Sequence, residues 1–304
     1  MKIAFLISAH NDAQHLKRLL TALPEEAHCF IHLDSKSDMS LFQDCADGKR
    51  VTFITERYDI MWGSFGQVRY QTALLRSALR SPEQFDYFFS ISGLDYPLWS
   101  NRRIMEYVHE NSHRESLYAI CLADNPSLAH LYREYRFLNT HSWRYGTWKS
   151  RMRVALRHIV KALGFRKPLV IRSGNKEYKL YKGGSWWGIT RGLAERVIET
   201  YDSEKDFVSY FVNAFGPDET FVHTVAMNSE YASRCTLLDA NSENTLEALS
   251  PLTYIEYGKE IKVFTEDDYD TLMSSGKMFC RKVMSGKSDK LLDMIDENRE
   301  KELL

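Results

Sequence analysis

The chain has 304 residues, 44% hydrophobic and 27% charged, an ordinary globular composition that excludes a disordered or fibrous protein. Lys and Arg total 40 against 41 acidic residues, and the formal net charge of -1 argues against a general nucleic-acid binder. Five scattered cysteines (Cys29, Cys45, Cys121, Cys235 and Cys280) form no C-x-x-C pair, which points away from zinc ribbons and dithiol chemistry and toward a reducing compartment.

Ile3 to Ala9 is a continuous apolar run, as expected of a strand buried on both faces. It is far shorter than the ~20 residues of a spanning helix and makes a poor signal peptide, so the expectation is a soluble, cytoplasmic chain. Leu16, Leu19, Leu20 and Leu23 then mark one face of a helix stopped near Pro24. Cys29 to Leu33 reads as a second strand, Val51 to Thr55 as a third, Gln67 to Leu79 as a helix and Tyr87 to Ile91 as a fourth strand. This alternation predicts a doubly wound α/β sheet. Polar residues follow the strand ends at His10 to Asp12, at Asp34 to Lys36 and at Asp95. That edge is where open α/β sheets bind ligands. Neither a G-x-G-x-x-G turn after the first strand nor a P-loop is present.

The second half is less regular. Ser185 to Thr190 reads as a strand, Gly192 to Tyr201 as a helix, and Phe215 to Thr220 as a loop opening a helix with Pro217 in its first turn. Thr265 caps another helix, and Asp289 to Leu303 is a charged C-terminal one. No repeat or linker divides the chain, so a single domain is expected, with a nucleotide-sugar half over about 1–125 and an acceptor and diphosphate half over 126–304. From Arg144 to Lys182 there are 12 Lys/Arg and one acid, leaving 28 basic against 40 acidic residues elsewhere. Within that segment Trp148, Met152, Ala155, Leu156, Ile159, Val160 and Leu163 recur at helical spacing. Two readings stand: a helix docked on the core with a solvated cationic face, or a peripheral contact with an anionic membrane through 144–182.

Six patterns occur in order: Ile-His-Leu-Asp-Ser-Lys (31–36), Met-Trp-Gly-Ser (61–64), Phe-Phe-Ser-Ile-Ser-Gly-Leu-Asp-Tyr-Pro-Leu (88–98), Gly-Gly-Ser-Trp-Trp-Gly-Ile-Thr-Arg (183–191), Pro-Asp-Glu-Thr-Phe (217–221) and Met-Phe-Cys-Arg-Lys (278–282). The series resembles the core-2/I-branching glycosyltransferases, which include β-1,6-N-acetylglucosaminyltransferases and peptide O-xylosyltransferases, over about residues 2 to 285. The resemblance implies a GT-A-like fold, a UDP-sugar donor, inversion at the anomeric carbon and catalysis without a divalent metal. Animal members carry an N-terminal membrane anchor and disulfides; without either signal, this chain resembles a bacterial, cytoplasmic member. Its expected role is GlcNAc transfer in β-1,6 linkage to a glycan or lipid-linked oligosaccharide, in cell-surface polysaccharide or glycolipid synthesis. Xylosyl transfer is the alternative within the family, and a non-catalytic glycan- or nucleotide-binding protein the alternative outside it.

An inverting displacement needs one carboxylate to take the proton of the attacking hydroxyl. Glu219 matches the family's catalytic glutamate, while Asp218 is expected to serve the helix start. Without a metal, a fixed cation must offset the charge on the leaving diphosphate. Lys282 matches the family's phosphate ligand, with Lys259 as the second and Lys262 left open. The tripeptide Asp268-Tyr269-Asp270 opens a helix and is read as capping, not as a metal motif. Asp34 and His10 are the expected contacts to the nucleoside, and Asp95 is expected to touch the donor sugar or orient a basic residue. Trp186 or Trp187 is the main acceptor candidate, with Tyr257 and Tyr254 weaker; adjacent strand residues point to opposite faces, so at most one of the two tryptophans lines the site.

Overall fold

The computed structural model describes residues 1–46, 50–138, 146–239, 245 and 247–302. Strand β1 (Ile3–Ala9) is followed by helix α1 (Ala13–Ala22), β2 (His28–Leu33), β3 (Val51–Phe53), α2 (Gly66–Leu79), β4 (Tyr87–Ser92), β5 (Asp95–Pro97) and α3 (Asn101–Glu110). β1, β2, β3 and β4 are parallel, and β1 is central between β2 and β4. The two faces of β1 feed two cores. Ile3, Phe5 and Ile7 pack with the α1 leucines, and Ala4 and Leu6 pack with Val68, Leu74 and Leu75 of α2. This is the doubly wound arrangement that the uninterrupted apolar run demands.

The chain runs from β1 out to β2 and β3, then returns through α2 to β4 on the other side of β1. The strand order therefore reverses between the carboxyl ends of β1 and β4, at Ala9 and Ser92, and such a reversal opens a ligand crevice. Asp12 caps α1, accepting from His15 N at 3.1 Å. Its other carboxylate contacts reach Ser285, 273 residues away, which ties the C-terminal region to this edge.

The second half adds β6 (Tyr118–Cys121), α4 (Pro126–Tyr132), α5 (Trp148–Ala162), the β7 (Val170–Ser173) and β8 (Lys176–Lys179) hairpin, β9 (Tyr181–Lys182), β10 (Gly188–Thr190), α6 (Arg191–Ser203), α7 (Lys205–Val212) and α8 (Phe221–Met227). β10 joins the main sheet antiparallel to β4, so the sheet is mixed, as expected of a GT-A-like α/β fold. β9 pairs with β6, placing Lys182 opposite Ile120. Then follow β11 (Thr236–Leu237), which extends β6, β12 (Thr253–Ile255), α9 (Tyr269–Ser274), β13 (Phe279–Arg281) and α10 (Asp289–Lys301). β13 lies between β12 and β5, and its register sets Arg281 opposite Asp95.

Three local expectations change. The strand expected over Ser185 to Thr190 shortens to Gly188–Thr190, because Ser185 turns its hydroxyl to Asp218 at 2.6 Å instead of continuing a ladder. Pro217–Glu219 forms a 3-10 turn before α8 begins at Phe221. Helix α5 does not dock by its apolar stripe: Ser150 is its one buried residue, and Trp148, Met152 and Ile159 are exposed. No helix among the described residues is long and apolar enough to cross a membrane.

Candidate active site

Glu219 stands at the end of the Pro217–Glu219 turn, which Gly216 enters at φ 51°, a left-handed conformation that favours glycine. Its Oε2 accepts from the Tyr132 hydroxyl at 2.7 Å and lies 3.1 Å from Lys182 Nζ. Tyr132 closes α4 and Lys182 closes β9, so three separate elements meet on one carboxylate. Burial and the Glu219 charge hold the Tyr132 hydroxyl well above its ordinary value, so it remains a donor. Lys182 is itself buried, and the carboxylate beside it is what makes a buried ammonium tolerable.

Asp218 is not the solvated first-turn acid expected from the sequence. It is buried, and its Oδ2 accepts from Gln67 Nε2 at 2.7 Å and Ser185 Oγ at 2.6 Å. Burial and then the Glu219 charge make it a weaker acid, raising its pKa to about 7, above the carboxylate range. Asp218 thus braces the turn against α2 and the Gly183–Trp187 segment. That segment runs very close to its neighbours. Gly183 N donates to Glu219 O at 2.8 Å, and a Cβ at Gly183 would lie 2.2 Å from both His223 Nε2 and Tyr118 O. The paired glycines are there because no side chain fits.

Trp186 and Trp187 separate in the segment that leads into β10. The Arg281 guanidinium lies over the Trp186 ring, 5.1 Å from its centroid. Trp187 is 1% exposed and belongs to the core with Ile189 and Phe88, so it is not an acceptor contact.

Arg281 Nη1 is 3.0 Å from Asp95 Oδ1, and Ser92 N donates to Asp95 Oδ2 at 2.8 Å. Asp95 is fully buried, and burial pushes its carboxyl up while Arg281 and the Ser92 amide oppose that push. Asp95 is therefore paired with a basic residue, Arg281. His10, just past the end of β1, feels Arg281, Asp34, Lys36 and Lys282; partial desolvation first and then Arg281 lower its pKa, with the Asp34 charge opposing. Four expected residues, His10, Asp34, Asp95 and Lys282, are thus gathered around the β1/β4 switch point. Asp34 is not an empty acceptor: Oδ1 takes Lys36 N at 2.9 Å, and Oδ2 takes Lys36 Nζ at 3.0 Å and Ile60 N at 3.3 Å.

The pairing of β12 with β13 brings the 256–262 loop beside Lys282, whose backbone N–H donates to Lys262 O at 3.3 Å. Lys262 Nζ is spent on Glu256 at 3.0 Å and Asp268 at 2.6 Å. Lys259 is exposed on the same loop with no ion pair among the described residues, and Lys282 has none either. Asp268 belongs to a capping box with Thr265, as the sequence indicated for the Asp-x-Asp tripeptide. Tyr257 is exposed on this loop and joins none of the contacts around Glu219. Tyr254 packs on Phe264 and donates to Glu256, so it too is occupied.

Among the described residues, no three His, Cys, Asp or Glu side chains converge as a metal site would require. All five cysteines are free. A recess of about 400 Å³ lies elsewhere, lined by Lys176, Arg196, Glu204 and Glu230; these charges pair with one another and none belongs to the gathered set. Sequence reasoning missed Tyr132, Lys182, Gln67 and Arg281. Arg281 lay inside a quoted pattern and Lys182 immediately preceded another, whereas nothing local marks Tyr132.

A model of the core-2/I-branching enzymes matches residues 3–246. The chain belongs to the core-2/I-branching enzyme family. The matched stretch of this core-2/I-branching member contains His10, Asp34, Asp95, Trp186 and Glu219 and stops before Arg281 and Lys282. Human xylosyltransferase 2 is 28% identical over 254 residues, covering 79% of this chain and 26% of the relative. Xylosyltransferase sqv-6 of Caenorhabditis elegans is 24% identical over 242 residues, covering 76% and 27%. The chain therefore spans about a quarter of the length of these curated relatives. Among solved structures, core-mannan synthase A of Aspergillus fumigatus in its Mn/GDP form aligns with TM-score 0.36 and 10% identity over 78% of this chain and 73% of that one. CMP:2-keto-3-deoxy-manno-octonic acid synthetase complexed with CTP aligns with TM-score 0.34 and 11% identity over 78% and 89%.

Proposed function

We propose that this core-2/I-branching member is an inverting, metal-independent glycosyltransferase that moves a sugar from a UDP-sugar to a glycan hydroxyl, with Glu219 as general base. The observation that carries the reading is the placement of two unlike ends on one short segment. Ser185 holds the Asp218–Glu219 turn, and its neighbour Trp186 lies against Arg281. A carboxylate thus stands at one end and a guanidinium with Lys282 at the other.

Among the described residues, the side-chain contacts of Glu219 from Tyr132 and Lys182 fall on Oε2, leaving Oε1 to accept from an incoming hydroxyl. As the hydroxyl oxygen bonds to the anomeric carbon, its proton passes to Glu219 and the bond to the UDP oxygen breaks on the opposite face. Lys182 offsets the charge of two adjacent carboxylates and fixes the reacting one. At the other end, Arg281 and Lys282 meet the diphosphate as preorganised cations, with Lys259 as a further amine from the neighbouring loop. Support for cations in place of a metal comes from Asp95, the strand-end carboxylate, which is already committed to Arg281 at 3.0 Å.

The β-1,6-GlcNAc assignment expected from the family rests on the resemblance alone. The names of the similar proteins favour xylose as the second reading. Turnover assays with UDP-GlcNAc and UDP-xylose, each with and without EDTA, test both parts. One donor is expected to give UDP release with an acceptor glycan, unchanged by chelation. Activity abolished by EDTA and restored by Mn²⁺ would refute the cation-for-metal account.

A further inference from the structure

Helix α5 is inside out. On one side Ser150 is buried and Arg153 and Arg157 are half-buried against the protein body, where Arg153 Nη1 meets Met61 Sδ at 2.7 Å and Arg157 adds its charge to that of Glu134 and Arg136. On the opposite side Trp148, Met152, Ala155 and Ile159 form one stripe at helical spacing, continued by Leu163 and Phe165. Trp148 is 69% exposed, Leu163 67%, Phe165 60% and Ile159 57%. Lys149, Arg151, His158 and Arg166 are exposed along the same segment, Lys161 is paired with Glu134 at 2.7 Å, and no acidic residue occurs between Thr147 and Lys176 in the sequence.

We infer that this stripe docks the protein on an anionic lipid bilayer. Soluble surfaces seldom leave so continuous an apolar ridge uncovered. The combination of Trp, Phe and aliphatic side chains with a purely cationic border fits the headgroup and acyl boundary, where apolar residues enter and Lys and Arg meet lipid phosphates. Two copies joined stripe to stripe would press like-charged borders together, because a two-fold contact uses the same patch on both partners. The stripe also has a defined relation to the candidate site. Met61, which α5 contacts, adjoins Trp62; Trp62 edges Phe215 at 6.0 Å, Phe215 packs on Tyr132 at 5.7 Å, and Tyr132 holds Glu219.

The test is vesicle co-sedimentation of the whole chain with phosphatidylcholine alone and with about one-third phosphatidylglycerol. Binding to the anionic vesicles, weakened by salt and absent from neutral ones, is expected. The pair Trp148→Glu with Ile159→Glu, and separately Lys149→Glu with Arg151→Glu, should weaken it about tenfold or more while circular dichroism stays unchanged. Glu219→Gln should bind vesicles like the parent, which separates this inference from the catalytic one. Equal binding to neutral vesicles, no binding at all, or binding indifferent to the Trp148 and Ile159 changes would overturn it. A dimer in sedimentation velocity that these changes dissolve, without vesicle binding, would instead assign the stripe to a second copy.

Discussion

Around Glu219 three elements distant in sequence close on one carboxylate, and every neighbour serves to hold it: Tyr132 and Lys182 on its oxygen, Asp218 beneath it, Gly183 on its backbone. Around Lys282 the architecture is the reverse. Asp95 and Arg281 are locked in a buried pair by strand register, while Lys282 and Lys259 are left without ion pairs among the described residues. A group that must take a proton at one point gains from rigid placement, since its geometry sets the rate. Groups that meet a mobile, multiply charged diphosphate gain from staying uncommitted until it arrives, because an existing ion pair would have to be broken first. On the proposed mechanism, the chain spends its buried polar contacts on the base and keeps uncommitted cations for the leaving group.

The sharpest way to break this contrast is Glu219→Gln, which preserves shape and removes basicity. Turnover should fall about 10³-fold, inside the range general bases contribute, while calorimetric UDP affinity is retained. Next come the two cations. Lys282→Ala should lower kcat about 10²-fold with an unchanged melting temperature. Arg281→Met should add to that a stability loss of about 3 kcal/mol or more in urea unfolding, because Asp95 is left charged and buried. Equal stability of the two variants would erase the distinction between locked and free cations.

Tyr132→Phe probes the base from outside the reaction. Losing a hydrogen bond to a charged group costs about 1.5–3 kcal/mol, so kcat should drop about tenfold or more with KM for the donor unchanged, and the pH–rate profile should move with it. A purely structural tyrosine would lower stability and leave the profile in place. A last effect, on stability and not on turnover, concerns His223, whose pKa burial and then Lys182 lower to about 3, and His32, whose pKa burial lowers to about 4. Both fold as neutral rings, so their contribution is intact above their ordinary value and is lost as pH falls through the window between it and about 3 to 4. Each histidine then costs up to about 1.4 kcal/mol per pH unit, and the melting temperature should decline on acidification below about pH 6.5. His223→Gln should flatten part of that decline; an identical slope would show the ring to be solvated in the fold.

What was legible in the sequence was whatever depends on near neighbours. The apolar run of β1, the α1 leucines and the 265–268 cap announce themselves because period and capping are local properties. His10, Asp34 and Asp95 could be marked for the same reason: His10 and Asp34 directly follow strands whose ends are visible, and Asp95 lies three residues past the end of another. The two tryptophans were predicted to diverge by alternation, but which one faces the core depends on which side of the sheet α6 and α8 cover, and this put Trp187 inside. The partners of Glu219 and Asp95 carried no signal, since Tyr132 lies 87 residues before Glu219 and Arg281 lies 186 residues after Asp95.

By itself, then, the sequence determined the alternating strands and helices, the polar strand ends, the family patterns and a basic amphipathic helix, because each follows from spacing along the chain. The tertiary structure decided the closure: Lys182 and Tyr132 onto Glu219, Arg281 onto Asp95, Asp218 buried instead of solvated, and the α5 stripe turned outward. Those outcomes depend on which surfaces meet in space, and burial, the cost of an unpaired charge and strand register are settled only when distant segments come together.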